Sequence, residues 1–200
     1  DAEVVVSTGA LRSPKILLHS GIGPADDLRA LGITVHADSP RVGRGLQDGL
    51  SVTGVEFQTR QSLAPPIGNG LGCFYYARTN PAWEGPNLQI ISTQFGTGSD
   101  PSASFLLIPS LIKPRSRGEL RLTSADPRSP ARIDHRCLSA PEDLEALSRG
   151  LELATEIGLS RRLSSITNGV AFPGRLSREQ RIAYIRNASF TSDHPSSTCA

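Results

Sequence analysis

The apolar positions fall first into short runs separated by small and turn-forming residues. Residues 3–7 (EVVVS) are apolar and β-branched, which predicts a buried strand. Thr8-Gly9-Ala10 breaks that run. Ser13-Pro14 predicts a helix start, because Ser caps and Pro fits the first helical position. Ile16, Leu17 and Leu18 follow, and Gly21-Ile22-Gly23 stops the helix. Pro24 opens a second helix, with Asp26 and Asp27 in the turn where the macrodipole favours acids. Gly32 closes it, and residues 33–37 return as a strand. The order β-α-α-β predicts an α/β layer.

Beyond residue 50 the pattern changes. Residues 51–59, 87–93 and 105–108 are strand candidates, and 118–123 (GELRLT) alternates as a half-buried strand does. Residues 131–134 form a further candidate, while 61–73 are rich in Pro and Gly and predict a loop. Strands that cluster without helices between them predict an antiparallel sheet and an α+β region. Ser139-Ala140-Pro141-Glu142 is a capping box. Leu144, Leu147, Leu151, Ala154 and Ile157 then mark one face of a helix that Gly158 closes. A second capping box, Ser177 to Gln180, opens a short helix through Ile182 and Ile185, and a Ser/Thr-rich tail follows.

Composition narrows the classes. The 200 residues, 38% of them hydrophobic, can bury a core without disulfides or metals. A net charge of +2 gives no electrostatic reason to expect nucleic acid, and 5% aromatics are too few for a base-stacking platform. No apolar run approaches the roughly 18 residues of a membrane span. Cys73, Cys137 and Cys199 form no C-x-x-C, so they read as ordinary thiols. The chain has no Met and opens in a strand-like run. The expectation is a piece of a longer protein, with a trimmed initiator as the alternative. The compartment is left open.

Candidate chemistry rests on four histidines. None has a partner at metal-ligand spacing, so no metal is expected. His19 and His36 read as packing or surface residues, and His135, between Asp134 and Arg136, as part of a solvated cluster. His194 stands apart, in Asp193-His194-Pro195-Ser196-Ser197-Thr198. Pro195 pushes His194 towards an extended backbone, and the small hydroxyl residues after it leave room for a large neighbour. His is also the commonest acid/base near neutral pH. Nucleophile elbows, S-x-x-K and phosphate loops are absent, and Gly21-Ile22-Gly23 lacks the third glycine of a dinucleotide fingerprint. Residue types alone therefore reach an α/β plus antiparallel assembly with one candidate acid/base.

Longer motifs add a family. Gly9-Ala10-Leu11-Arg12-Ser13-Pro14-Lys15-Ile16-Leu17-Leu18-His19-Ser20-Gly21-Ile22-Gly23 resembles the second signature of the glucose–methanol–choline (GMC) oxidoreductases, at every constrained position. Val42-Gly43-Arg44-Gly45-Leu46-Gln47-Asp48 resembles the family's VGRNLQDH segment. Ser116-Arg117-Gly118 and Ser124-Ala125-Asp126-Pro127 resemble its SRG and SADP pair, and His194-Pro195-Ser196-Ser197-Thr198-Cys199 its HPxGTC. The matches run in family order along the whole chain, nearest the choline-dehydrogenase-like and aryl-alcohol or hydroxymethylfurfural oxidase branch. Four positions depart: Gly45 for Asn, Gly49 for His, Ser197 for Gly, and Asp193 where an aromatic is common.

The resemblance implies an FAD flavoenzyme that oxidises alcohols. In such enzymes a His takes the hydroxyl proton while hydride leaves carbon for the flavin, and His194 matches that residue. It implies part of a Rossmann-like FAD domain over residues 1–49, an antiparallel substrate domain with flanking helices over 50–186, and a return segment over 187–200. Thr8, Gly9 and Ala10 would contact the cofactor, with a simple tight turn as the alternative. Gln94 and Tyr75, in or near the Phe74-Tyr75-Tyr76 cluster, would line the substrate pocket, or else be core or rim residues. The partner is a small alcohol, and the electron acceptor, oxygen or another, is undetermined. The family's amino-terminal glycine loop and its second His or Asn helper are not in this sequence. The expectation is that the 200 residues neither hold FAD tightly nor turn over by themselves. Two alternatives stand: a hydroxynitrile-lyase-like member without net redox, and a non-catalytic domain of the same fold.

Overall fold

In the computed structural model, residues 3–94, 96 and 100–199 are described. The order begins α1 (Gly9–His19), β1 (Ile22–Gly23), α2 (Ala25–Ala30), β2 (Ala37–Asp38), β3 (Arg44–Leu46) and β4 (Leu50–Val52). It continues with β5 (Val55–Thr59), β6 (Leu71–Ala77), β7 (Leu88–Thr93), β8 (Ser104–Leu111), β9 (Gly118–Arg121) and β10 (Arg132–Asp134). It closes with α3 (Pro141–Gly158), α4 (Arg161–Ser164), β11 (Thr167–Phe172), α5 (Arg178–Ala188) and β12 (Ser189–Thr191). Unit 1 comprises residues 1–48, 115–140 and 193–200, and unit 2 comprises 49–114 and 141–192. No helix is long and apolar enough to cross a membrane among the described residues.

Unit 1 holds the helices expected near the amino end, with shifted boundaries. Residues 3–7 are not a strand: Val4 and Val5 are 86% and 80% exposed, and no described strand pairs with them. A β-branched run gains from strand geometry only where a ladder partner covers it. Helix α1 starts at Gly9 rather than Ser13, so Pro14 lies inside it. The strand expected over 33–37 shortens to β2, which runs parallel to β1. Asp38 Oδ1 accepts from the Ala25 N–H at 3.1 Å, satisfying one of the orphan donors that begin α2. Leu18, Leu28, Val42 and Leu120 form the core, with Leu11, Leu17, Ile33 and Val35 packed against it. Strands β9 and β10 were expected among the other antiparallel strands. Instead β9 pairs with β3, and β10 with β9, in a separate sheet of order β10-β9-β3.

A charge cluster holds that small sheet. Glu119 on β9 has a side chain only 14% exposed. It accepts from Arg44 on β3, from Arg121 Nε at 3.0 Å and from Arg136 Nη2 at 3.0 Å. Arg44 also reaches Asp27 on α2 at 2.7 Å. Burial, the largest single influence, pushes the Glu119 carboxyl up. The Arg121 hydrogen bond and the charges of Arg44, Arg121 and Arg136 outweigh it and hold the group below the usual glutamate range.

Unit 2 is a seven-stranded antiparallel sheet with helices on it. Strand β8 lies at its centre, pairing β7 along Leu106–Leu111, β5 along Ser104–Leu107, and β4 at Ser110. Strands β6, β11 and β12 add to β7, β5 and β4 in turn. The expected strand over 51–59 is two strands, β4 and β5. Helix α3 appears as its periodicity predicts, with Leu144, Leu147, Leu151 and Ala154 buried. Its last residue meets the sheet directly. A Cβ at Gly158 would fall 2.0 Å from Cζ of Phe57, a fully buried ring that stacks on Phe105 at 5.3 Å. Helix α5 carries the predicted capping box at Ser177 and Gln180. Helix α4 and strands β11 and β12 were not foreseen. Helix α4 buries nothing, Gly169 at φ +101° interrupts β11, and β12 is three residues long, so none shows a readable period.

Two consequences can be measured. Gly158→Ala gains about 1 kcal/mol of helix propensity, but overpacking against Phe57 costs about 1–3 kcal/mol. The expected net result is a lower urea midpoint with an unchanged slope. Glu119→Gln lowers stability at neutral pH. Because the native carboxyl titrates below its unfolded value, the deficit is full above the ordinary glutamate value of about 4.3 and disappears as pH falls through the native value. Unfolding curves of both proteins between neutral and acid pH check this.

Candidate functional site

The segment carrying His194 lies in unit 1, laid antiparallel along residues 43–48. Ser196 N–H donates to the Gln47 carbonyl at 2.8 Å, and Gln47 N–H to the Ser196 carbonyl at 3.1 Å. Gly43 N–H donates to the Thr198 carbonyl at 2.8 Å, and Gln47 Nε2 to Ser197 Oγ at 3.0 Å. Asp193 at φ +56° and Ser197 at φ +69° bracket the stretch as left-handed corners. Between them His194 exposes its side chain.

Its main chain is anchored by a carboxylate. His194 N–H donates to Asp48 Oδ1 at 3.2 Å. The other oxygen of Asp48, Oδ2, lies 3.4 Å from Nδ1 of His135, and the Asp48 side chain is only 2% exposed. The expected solvated cluster around His135 is half present. Arg136 Nε pairs with Asp134 at 3.3 Å, while His135 Nδ1 is buried near Asp48. In the sequence Asp48 stands only within a matched segment, and nothing there marks it or His135 as part of the site. Their contact joins residues 87 positions apart, which no local pattern encodes.

Thr198 ties the same segment to α1. Pro14 has no N–H, so the carbonyl four residues earlier, that of Ala10, loses its helical donor. The buried hydroxyl of Thr198 donates to that carbonyl. Ser13, expected as a helix cap, accepts from the Thr8 N–H at 3.0 Å instead.

Thr8, Gly9 and Ala10 therefore sit beside the His194 segment, at the start of α1 rather than at the end of a strand. Gly9 has φ +84° with open space around it, and no side chain caps the helix. Uncapped N–H groups and the positive end of the macrodipole suit an anionic group. These residues thus fit the pyrophosphate-bearing cofactor that the resemblance implies. Gln94 and Tyr75 belong to unit 2. Tyr75 is on β6 opposite Ile90 and 49% exposed, and the Gln94 N–H donates to the Gly70 carbonyl at 3.1 Å. Among the described residues no group of three or more His, Cys, Asp or Glu could hold a metal ion. Burial, and then the charge of Lys15, pull His19 below the usual imidazole value against the opposing pull of Asp126.

The departures from the family pattern have physical readings. Gly45 has φ +77°, a region that Asn, the family residue, also tolerates. At Gly49 a Cβ would lie 2.5 Å from the Leu111 carbonyl oxygen, so the backbone as it stands leaves no room for the family's His. Ser197 keeps the left-handed conformation that Gly adopts freely, at a cost of about 1–2 kcal/mol, partly offset by its bond to Gln47.

Comparisons with known proteins agree on one family. The amino-terminal family model described as GMC oxidoreductase matches residues 1–51, and the carboxy-terminal one matches residues 114–200. The 5-(hydroxymethyl)furfural oxidase of Methylovorus sp. is 39% identical over 76% of this chain and 29% of its own length. The choline oxidase of Arthrobacter globiformis is 33% identical over 98% of this chain and 38% of its own. The crystal structure of pyridoxine 4-oxidase from Mesorbium loti superposes with a TM-score of 0.83 at 28% identity, covering 96% of this chain and 39% of that one. The chain thus spans between about three and four tenths of the length of these relatives. The α/β part and the antiparallel part are those of that fold. From its signature at Gly9–Gly23 to its HPxxTC segment, the chain belongs to the GMC oxidoreductases, a family of FAD flavoproteins.

Proposed function

We propose that the complete protein is an FAD-dependent alcohol oxidase or dehydrogenase in which His194 is the general base. The observation that carries this reading is the double anchoring of one segment in unit 1. Asp48 fixes the His194 amide and leaves the imidazole exposed, and Thr198 fixes the same segment to Ala10, on the proposed cofactor side. An alcohol donates hydride poorly until its O–H proton is withdrawn, and the deprotonated ring nitrogen of His194 is the group to take that proton. FAD, when bound, supplies the acceptor for the hydride. Gly9 and Ala10 hold the cofactor's anionic part through main-chain N–H groups, and Thr8, whose own N–H is taken by Ser13 Oγ, borders it. Gln94 and Tyr75 are proposed as substrate-side residues of unit 2.

The substrate class is a small primary alcohol. The relatives' names point to hydroxymethyl groups on rings and to choline as the first compounds to try. We infer that the 200 residues need the remainder of a full-length relative to hold FAD and turn over, since they span well under half of each relative compared.

The test uses the full-length flavin-loaded protein without oxygen. Adding 5-(hydroxymethyl)furfural, pyridoxine or choline should bleach the flavin band. His194→Ala should slow bleaching by about 10²–10⁴-fold, the usual worth of a positioned acid/base. Equal rates for both proteins would remove His194 from the mechanism. A flavin that no alcohol reduces would favour a non-redox, lyase-like member.

A further inference from the structure

We propose that Asp48 is the positioning residue of His194, acting through its main-chain amide; this rests on the reading of His194 as the base. Residue 195 is proline, which has no N–H. Between Asp193 and Ser196, then, the His194 amide is the only main-chain donor available to fix the backbone. Its acceptor is Asp48 Oδ1, at 3.2 Å.

The carboxylate is itself held in place. Its side chain is 2% exposed, and its second oxygen stands 3.4 Å from His135 Nδ1, at the end of β10. Burying a carboxylate costs several kcal/mol unless its oxygens are met. Asp48 therefore has few orientations open to it and transmits its position to the His194 Cα. Asp48 is also next to Gln47, whose main chain pairs Ser196 on the far side of Pro195. One short stretch thus fixes the backbone on both sides of the base. His194 itself is exposed.

Geometry of this kind is worth rate. A displacement of about 1 Å at a catalytic group can cost about 10²-fold. Asp48 accepts from the His194 amide, so as a positioning residue its effect should appear in the rate of flavin reduction and not in substrate affinity. An Asn at 48 keeps an acceptor oxygen, whereas an Ala does not.

The experiment is anaerobic flavin reduction by a primary alcohol in the full-length holoenzyme, with flavin content measured for each variant. Asp48→Ala should slow the limiting reduction rate by about 10²-fold at unchanged substrate half-saturation. Asp48→Asn should recover most of that rate. Adding Asp48→Ala or Asp48→Asn to His194→Ala should cost nothing further, because the residue acts through His194. Additive losses, a shift confined to half-saturation, or an Asn variant as slow as the Ala variant would overturn the proposal. Should the Ala variant fail to fold, the Asn variant alone and combined with His194→Ala still decides the matter. A full rate in His194→Ala would sink the base reading itself, while a slow His194→Ala beside a normal Asp48→Ala would sink only the role of Asp48.

Discussion

A proline that cannot donate and a carboxylate that cannot easily move together determine where the candidate base sits. Pro195 leaves the His194 amide as the only donor in its stretch, and the buried Asp48 oxygen takes it. The rest of unit 1 is arranged around that requirement. Residues 43–48, which include β3, carry the return segment, and Arg44 on β3 reaches Glu119 on β9, which pairs β10 in turn. Helix α1 must tolerate Pro14, and Thr198 supplies the hydrogen bond that Pro14 withholds from Ala10.

The same logic explains why small changes from the family pattern are unequal. Gly45 keeps the backbone region its position needs, so the loss of Asn there is conformationally mild. Ser197 keeps its region too, but as a non-glycine residue it carries left-handed strain there, beside Gln47. Gly49 sits so close to the Leu111 carbonyl that a side chain would displace backbone. Unit 2 follows a different rule, a broad antiparallel sheet centred on β8 with α3 nested on it through Gly158.

Much of this was legible in the chain. Helix α3 was readable because eighteen residues carry one sustained apolar period, and α5 because Ser177 and Gln180 cap each other. Strands β7 and β8 were readable as β-rich runs between turn residues. Residues 3–7 misled, because β-branched composition describes a strand's surface and not its neighbour. The pairing of β9 with β3 was hidden, since Arg44 and Glu119 meet across 75 positions. The site was legible in the same uneven way. His194 announced itself through Pro195 and the HPxxTC resemblance. The residue that anchors it, Asp48, is an ordinary surface type in the sequence and becomes distinctive only through burial.

Hydrogen exchange at the His194 amide tests the anchoring most directly. In the full-length holoenzyme that amide should exchange slowly, and Asp48→Ala should speed it while leaving the Ser196 amide, bonded to Gln47, protected. Fast exchange at His194 in the unmodified protein, or rates unchanged by Asp48→Ala, would contradict the anchoring of His194 by Asp48.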